Sequence, residues 1–134
     1  MKRISILLAV VTSLGLMLGS CFNGTREYGK EMYMTHCSNC HGIEGDGLQE
    51  LYPPLKNSDY LLSHQDQLAC IIRYGLHDTI QVNGVEFNMG MTPIPVLSDI
   101  DIHNVINYLS REIDTQIQPV TIQDVQNQLD GCQD

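Results

Sequence analysis

The polar and apolar positions of this chain divide it into short periodic segments separated by turn-forming residues. Residues 4–18 are an almost unbroken apolar run. From Arg26 to His36 the pattern fits a helix, with Tyr28, Met32 and Tyr33 spaced toward a core. "CSNCHG" ends that segment, and "GIEGDGLQE" reads as a glycine-rich loop. "YPPLKNSDYL" is loop and then a short turn, because Pro53-Pro54 lacks backbone donors and disfavours helix before it. "SHQDQLACIIRYG" predicts a helix opened by a Ser63/Asp66 capping pair and closed at Gly75. Apolar residues alternate at Ile80 and Val82, then at Val85 and Phe87, around Asn83-Gly84, which signals a tight hairpin. "MGMTPIPV" is loop. The clearest helix is "SDIDIHNVINYLSREI", capped by Ser98, with Ile102, Val105, Ile106 and Leu109 on one face. "TIQDVQNQLDG" predicts a last short helix, capped by Thr121 and stopped at Gly131. The expected fold class is mainly α, a small helical domain with one short hairpin between helices.

The apolar run at the start belongs to a different category. Lys2 and Arg3 give it a positive beginning, and "LGSC" closes it at Cys21. About fifteen apolar residues are short for a lone membrane span, which needs ~20, so the segment reads as a secretory signal. "LGSC" resembles the lipobox of bacterial lipoproteins. That resemblance implies that residues 1–20 are a signal peptide, that Cys21 becomes the acylated mature N-terminus, and that the chain is exported and membrane-anchored. The periplasmic side or the cell surface is then its location. An ordinary signal peptide or an uncleaved anchor helix are the alternatives. Residues 21–26 are a short linker and residues 27–134 one small domain.

Charge narrows the partners. The chain has seven Lys and Arg against sixteen Asp and Glu, a formal net charge of −9. Loss of the signal removes Lys2 and Arg3, leaving five cations against sixteen anions and a net charge near −11. Such a surface argues against nucleic acid and against anionic lipid headgroups as a docking surface. It fits a protein partner with a basic patch. The chain also has two Phe and no Trp, so a core this poor in large aromatics would gain from another apolar body.

Five cysteines are present: Cys21, Cys37, Cys40, Cys70 and Cys132. With Cys21 assigned to lipid and the close pair to a motif, Cys70 and Cys132 remain. An even remainder in an oxidising compartment suggests a disulfide; two buried free thiols are the alternative.

Three chemistries compete for "CSNCH". A redox disulfide of the C-x-x-C type needs a βαβ setting and a lowered thiol pKa, yet a helix pattern precedes Cys37. A zinc site needs four ligands, commonly in two paired clusters, and Cys70, Cys132 and the scattered histidines form no such pair. Covalent haem accounts for each residue at its position. Two thiols spaced C-x-x-C can add to the two vinyl groups, and His41 then reaches the iron from the same side. C-x-x-C-H is the attachment sequence of c-type haem, and an export signal fits attachment outside the cytoplasm.

The surroundings add further motifs in order: "YGKEMYMTHCSNCHGIEGDG", then "YPPL", then "VNGVEFNMGM" with "PVLSD", then "NVINYL". Together, residues 28–109 resemble class I monohaem cytochromes c of the bacterial type, and "PVTIQDVQNQL" resembles a tail found in some of them. The resemblance implies one covalent haem c held by Cys37 and Cys40, with helices wrapped around it and His41 as an axial ligand. It implies that Gly29 lets the first and last helices cross closely, with Tyr33 packed beside it and Tyr108 facing it. It implies that the Pro53 carbonyl accepts the His41 Nδ1 hydrogen, with Leu55 on the haem face. Cys70 and Cys132 depart from the pattern.

The expected sixth ligand is Met91, with Met89 or another group as the alternatives. The two methionines are two residues apart and cannot both reach one iron; Met91, six before "LSD", matches the family's spacing. Met32 and Met34 read as core filling. His36, His64, His77 and His103 read as structural or surface residues, with His36 pointing away from the face of His41 and His103 solvated. Tyr52 and Tyr60 could bond haem propionates or simply pack. Glu44, Asp46 and Glu50 read as a solvated turn. The expected function is single-electron transfer without catalysis and without a small-molecule substrate. The alternatives are a haem-based ligand-binding or sensor module, and a fixed subunit through which electrons reach a larger oxidoreductase.

Overall fold

A computed structural model describes residues 22–132. The signal segment 1–20 and the lipidation candidate Cys21 lie outside the described residues. Helix α1 runs Phe22–His36, so positions 22–26, expected as linker, continue the helix upstream of Arg26. The clearest sequence helix forms as α5, Asp99–Tyr108, followed by a π-helical turn Leu109–Ile113. Ser98 and Asp101 cap α5 reciprocally, each side chain taking a backbone N–H that the first turn leaves unpaired. Its apolar face is buried, with Ile102 and Ile106 at 0% exposure, each such side chain contributing ~1.5–3 kcal/mol.

α1 packs across α5 at a glycine. A Cβ on Gly29 would collide with the Asn104 carbonyl oxygen and lie 3.1 Å from Tyr108 Cβ; the missing side chain is what lets the two backbones touch. One turn on, Tyr33 is fully buried with its ring centroid 5.2 Å from that of Tyr108. Tyr28 does not join this core. It is 40% exposed, and its hydroxyl donates to Asp101 Oδ1, so the polar tip turned the ring outward.

Between these helices lie the elements that shape the interior. α2, Ser38–His41, is a single turn that follows α1 after Cys37. After a loop come α3, Asp59–Ser63, a 3₁₀ turn Gln65–Gln67, and α4, Leu68–Tyr74. The Ser63/Asp66 cap expected from sequence does not form. Ser63 ends α3 and donates to the Asp59 and Tyr60 carbonyls, while Ser58 caps α3 by accepting from Leu61 N–H. α4 stops where expected, at Gly75 with φ +79°. Strands β1, Ile80–Val82, and β2, Val85–Phe87, pair antiparallel with Ile80 opposite Phe87 and Val82 opposite Val85. Asn83 and Gly84 both have positive φ, the type I′ turn whose twist matches the strands.

The last helix, α6, Ile122–Asp130, has its own Thr121/Asp124 capping box. The segment leading to it is stitched down by Asn107, whose amide both donates to the Val120 carbonyl and accepts from Val120 N–H. Cys70 of α4 and Cys132 beyond α6 form a disulfide with Cα atoms 5.7 Å apart, within the usual span. His103, expected in solvent, is half-buried with its Nδ1 shielded from water. Among the described residues, no helix is long and apolar enough to cross a membrane.

Candidate functional site

The site begins with the short turn that follows α1. Cys40 N and His41 N both bond the Cys37 carbonyl, at 3.1 and 3.0 Å, so residues 37–41 complete a helical turn. Positions i, i+3 and i+4 share a helix face. Cys37, Cys40 and His41 therefore all line one cavity. Tyr33 fixes this turn to α1, its hydroxyl donating to the Gly42 carbonyl at 2.6 Å. Both cysteines are free thiols, Cys37 buried and Cys40 half-buried. Burial pushes the Cys37 thiol up to about 11, with Cys40 beside it a smaller contribution. That direction is opposite to the acidic thiol that disulfide exchange requires.

The imidazole is oriented by the next loop. His41 Nδ1 lies 3.0 Å from the Pro53 carbonyl oxygen. A carbonyl can only accept, so Nδ1 carries the hydrogen and Nε2 keeps its lone pair. Burial lowers the His41 pKa, and the Pro53 bond opposes it more weakly; the neutral, ligating form is the favoured one. A bonded Nδ1–H is the usual support of a metal-bound histidine. The loop is held in turn, with Gly47 N–H bonding the His41 carbonyl at 2.8 Å and Leu55 N–H bonding the Gly45 carbonyl at 2.8 Å.

Met91 reaches the same cavity from another segment. It forms an isolated antiparallel bridge with Leu76, N–H to carbonyl in both directions at 2.8 and 3.1 Å. Gly75 allows that approach, since a Cβ there would strike the Met91 carbonyl oxygen and lie 2.9 Å from Pro93 N. Met91 is half-buried, whereas Met89, which also lines the cavity, is 48% exposed.

The cavity measures about 450 Å³, within the ~300–1,000 Å³ of small-molecule sites. Leu55 and Pro53 line it as expected, along with Tyr52 and Tyr60. Sequence reasoning missed other parts of its wall: Leu68, Ile71 and Ile72 of α4, Val82 and Phe87 of the hairpin, and Leu109 of the π turn. The i, i+3, i+4 spacing in "LACII" was the available signal. His36 is a correction, for it borders the cavity rather than pointing away. Glu44, Asp46 and Glu50 are exposed, and Met32 and Met34 pack against the core. The residues present fit a flat apolar group with one metal: two thiols and a neutral imidazole on one helical face, a thioether in reach, and aliphatic walls.

Such a site defines a haem protein with the prosthetic group attached through sulfur. The chain belongs to the cytochrome c family, whose profile, described as Cytochrome c, matches residues 27–111. The curated relatives include cytochrome c-552 of Thermus thermophilus, 29% identical over 86 residues, covering 61% of this chain and 65% of that protein. A second cytochrome c-552 from a strain of the same species is also 29% identical over 86 residues, with 57% of its length covered. The chain thus spans somewhat less than two thirds of the relatives it matches. Membership of the family implies a covalently attached c-type haem.

Proposed function

We propose that this protein is a single-electron carrier acting outside the cytoplasm, with one haem bonded through Cys37 and Cys40 and ligated by His41 and Met91. The observation that carries this reading is the convergence of the Cys37–Cys40–His41 face and Met91 on one apolar cavity. Bound there, the haem supplies a one-electron Fe(III)/Fe(II) couple, and a methionine ligand raises its potential. The chain's own contribution is positional. The 37–41 turn places both sulfurs, Pro53 fixes the imidazole, and the aliphatic walls exclude water. The positive, apolar leader and "LGSC" support export and acylation at Cys21. The deciding experiment is acid-acetone extraction of the denatured holoprotein, followed by redox titration of the native form. Haem should stay with the polypeptide, and the titration should be a reversible one-electron wave. Haem in the organic phase would refute covalent attachment.

Its redox partner presents a basic patch, on this reading, because the mature chain carries five cations against sixteen anions. Long-range attraction speeds encounters more than it tightens complexes, which suits a carrier. Electron exchange with that partner should slow as salt rises and the Debye length falls from ~30 Å at 0.01 M to ~10 Å at 0.1 M. A stopped-flow rate that stays flat or rises across the series would favour apolar docking instead.

A further inference from the structure

Helix α4 begins without a cap of its own. The Gln67 side chain makes no capping bond, yet Ala69 in the first turn is fully buried, so its N–H needs a partner. That partner comes from α6, 59 residues away: Ala69 N–H donates to Gln128 Oε1 at 2.9 Å. The same amide's Nε2 donates to the Gln65 carbonyl at 3.3 Å. One side chain thus closes both the 3₁₀ turn and the start of α4. At the next residue, Cys70 is bridged to Cys132.

The far end of α4 carries the Met91 loop. Leu76 and Met91 exchange two backbone bonds, and Ile94 N–H bonds the Ile72 carbonyl at 3.2 Å. Between the ends, Leu68, Ile71 and Ile72 face the cavity. A seven-residue helix therefore has Gln128 at one end and Met91 at the other. Gln128 lies outside the family-matched residues 27–111.

We propose that Gln128 is a positioning residue, which fixes α4 and through it holds the Met91 loop against the cavity. The consequence at the iron rests on Met91 being the axial ligand; the effect on the loop does not. The side chain is not part of the cavity wall. It works by keeping a buried N–H paired, so that opening α4 stays rare.

The test compares the holoprotein with Gln128→Leu and Gln128→Glu. Leucine removes both bonds at similar volume. Glutamate keeps the acceptor at a helix start, where negative charge is favourable, but replaces the donor with an oxygen facing the Gln65 carbonyl. Two quantities are read: native-state exchange of the Leu76 and Met91 amides, and affinity of the ferric protein for imidazole. In Gln128→Leu both amides should exchange about tenfold faster, the lower end of what orphaning a buried donor does. Hairpin amides should be unchanged, and imidazole should bind about tenfold more tightly. Gln128→Glu, keeping the Ala69 bond, should fall between the parent and Gln128→Leu. Unchanged exchange at Leu76 and Met91 would overturn the proposal, as would equal acceleration at the hairpin and α1. Faster exchange at the two amides with unmoved imidazole affinity would uphold the positioning role and count against Met91 as ligand.

Discussion

Without added haem, a chain carrying both Cys37→Ser and Cys40→Ser is expected to show no cooperative thermal unfolding. The reason is the cavity. At ~24 cal/mol per Å³ of unfilled volume, about 450 Å³ corresponds to on the order of 10 kcal/mol, comparable with the ~5–15 kcal/mol that holds a whole domain together. The core has few large aromatics with which to fill that cavity, since the chain has two Phe and no Trp and its buried tyrosines Tyr33 and Tyr108 already pack on each other. The Cys70–Cys132 bridge closes a separation of 62 residues, contributing ~4 kcal/mol by loop entropy, less than half of what the cavity removes. Far-UV circular dichroism against temperature is the measurement. A steep two-state melt in the haem-free variant would show that the helices stand without the prosthetic group.

Met91→Ala should abolish the sulfur-to-iron absorption band at the red end of the oxidised spectrum. It should also lower the reduction potential by ~0.2 V or more, a fraction of the ~0.8 V that axial ligation spans. The iron should then accept imidazole or carbon monoxide. Met89→Ala should do little, because Met89 is 48% exposed and lacks the two-way backbone bridge that pins Met91 to Leu76. A reversed pattern would move the ligand to Met89. A band surviving neither substitution's control, because the parent never shows it, would favour the ligand-binding reading over electron transfer.

What sequence disclosed here was local or strongly patterned. The hairpin was readable because Asn83-Gly84 demands positive φ at both positions, and both have it. The Ser98 and Thr121 caps lie next to the helices they serve. The placement of Pro53 against His41 and the close helix crossing at Gly29, with Tyr108 facing it, came from the family resemblance, and the geometry agrees with both. What stayed hidden depends on partners distant in the chain. No local signal says that Ala69 will be capped by Gln128, whereas Ser63, the cap that local pattern suggests, donates to the Asp59 and Tyr60 carbonyls. Periodicity marked one helix across "SHQDQLACIIRYG", of which only Leu68–Tyr74 forms as α4 after a 3₁₀ turn, and it did not show which residues would face the cavity. Tyr28 and His103 failed for a related reason. Each sits on a helix at a position whose exposure is decided by the neighbouring element, Asp101 taking the hydroxyl of one and packing shielding the other.

Four thiols besides Cys21 must be sorted as the chain matures. Four cysteines can pair completely in three ways, and all three consume Cys37 and Cys40. The folded chain is instead half-oxidised, with Cys70–Cys132 closed and the other two sulfurs free. Productive assembly therefore stops after one two-electron oxidation. On the proposed attachment at Cys37 and Cys40, a second oxidation before the thioethers form blocks attachment of the haem. After they form, the same oxidant finds neither Cys37 nor Cys40 free to attack. Yield becomes a question of timing: further oxidation and haem addition compete for Cys37 and Cys40, and the order in which they act decides how much chain becomes holoprotein.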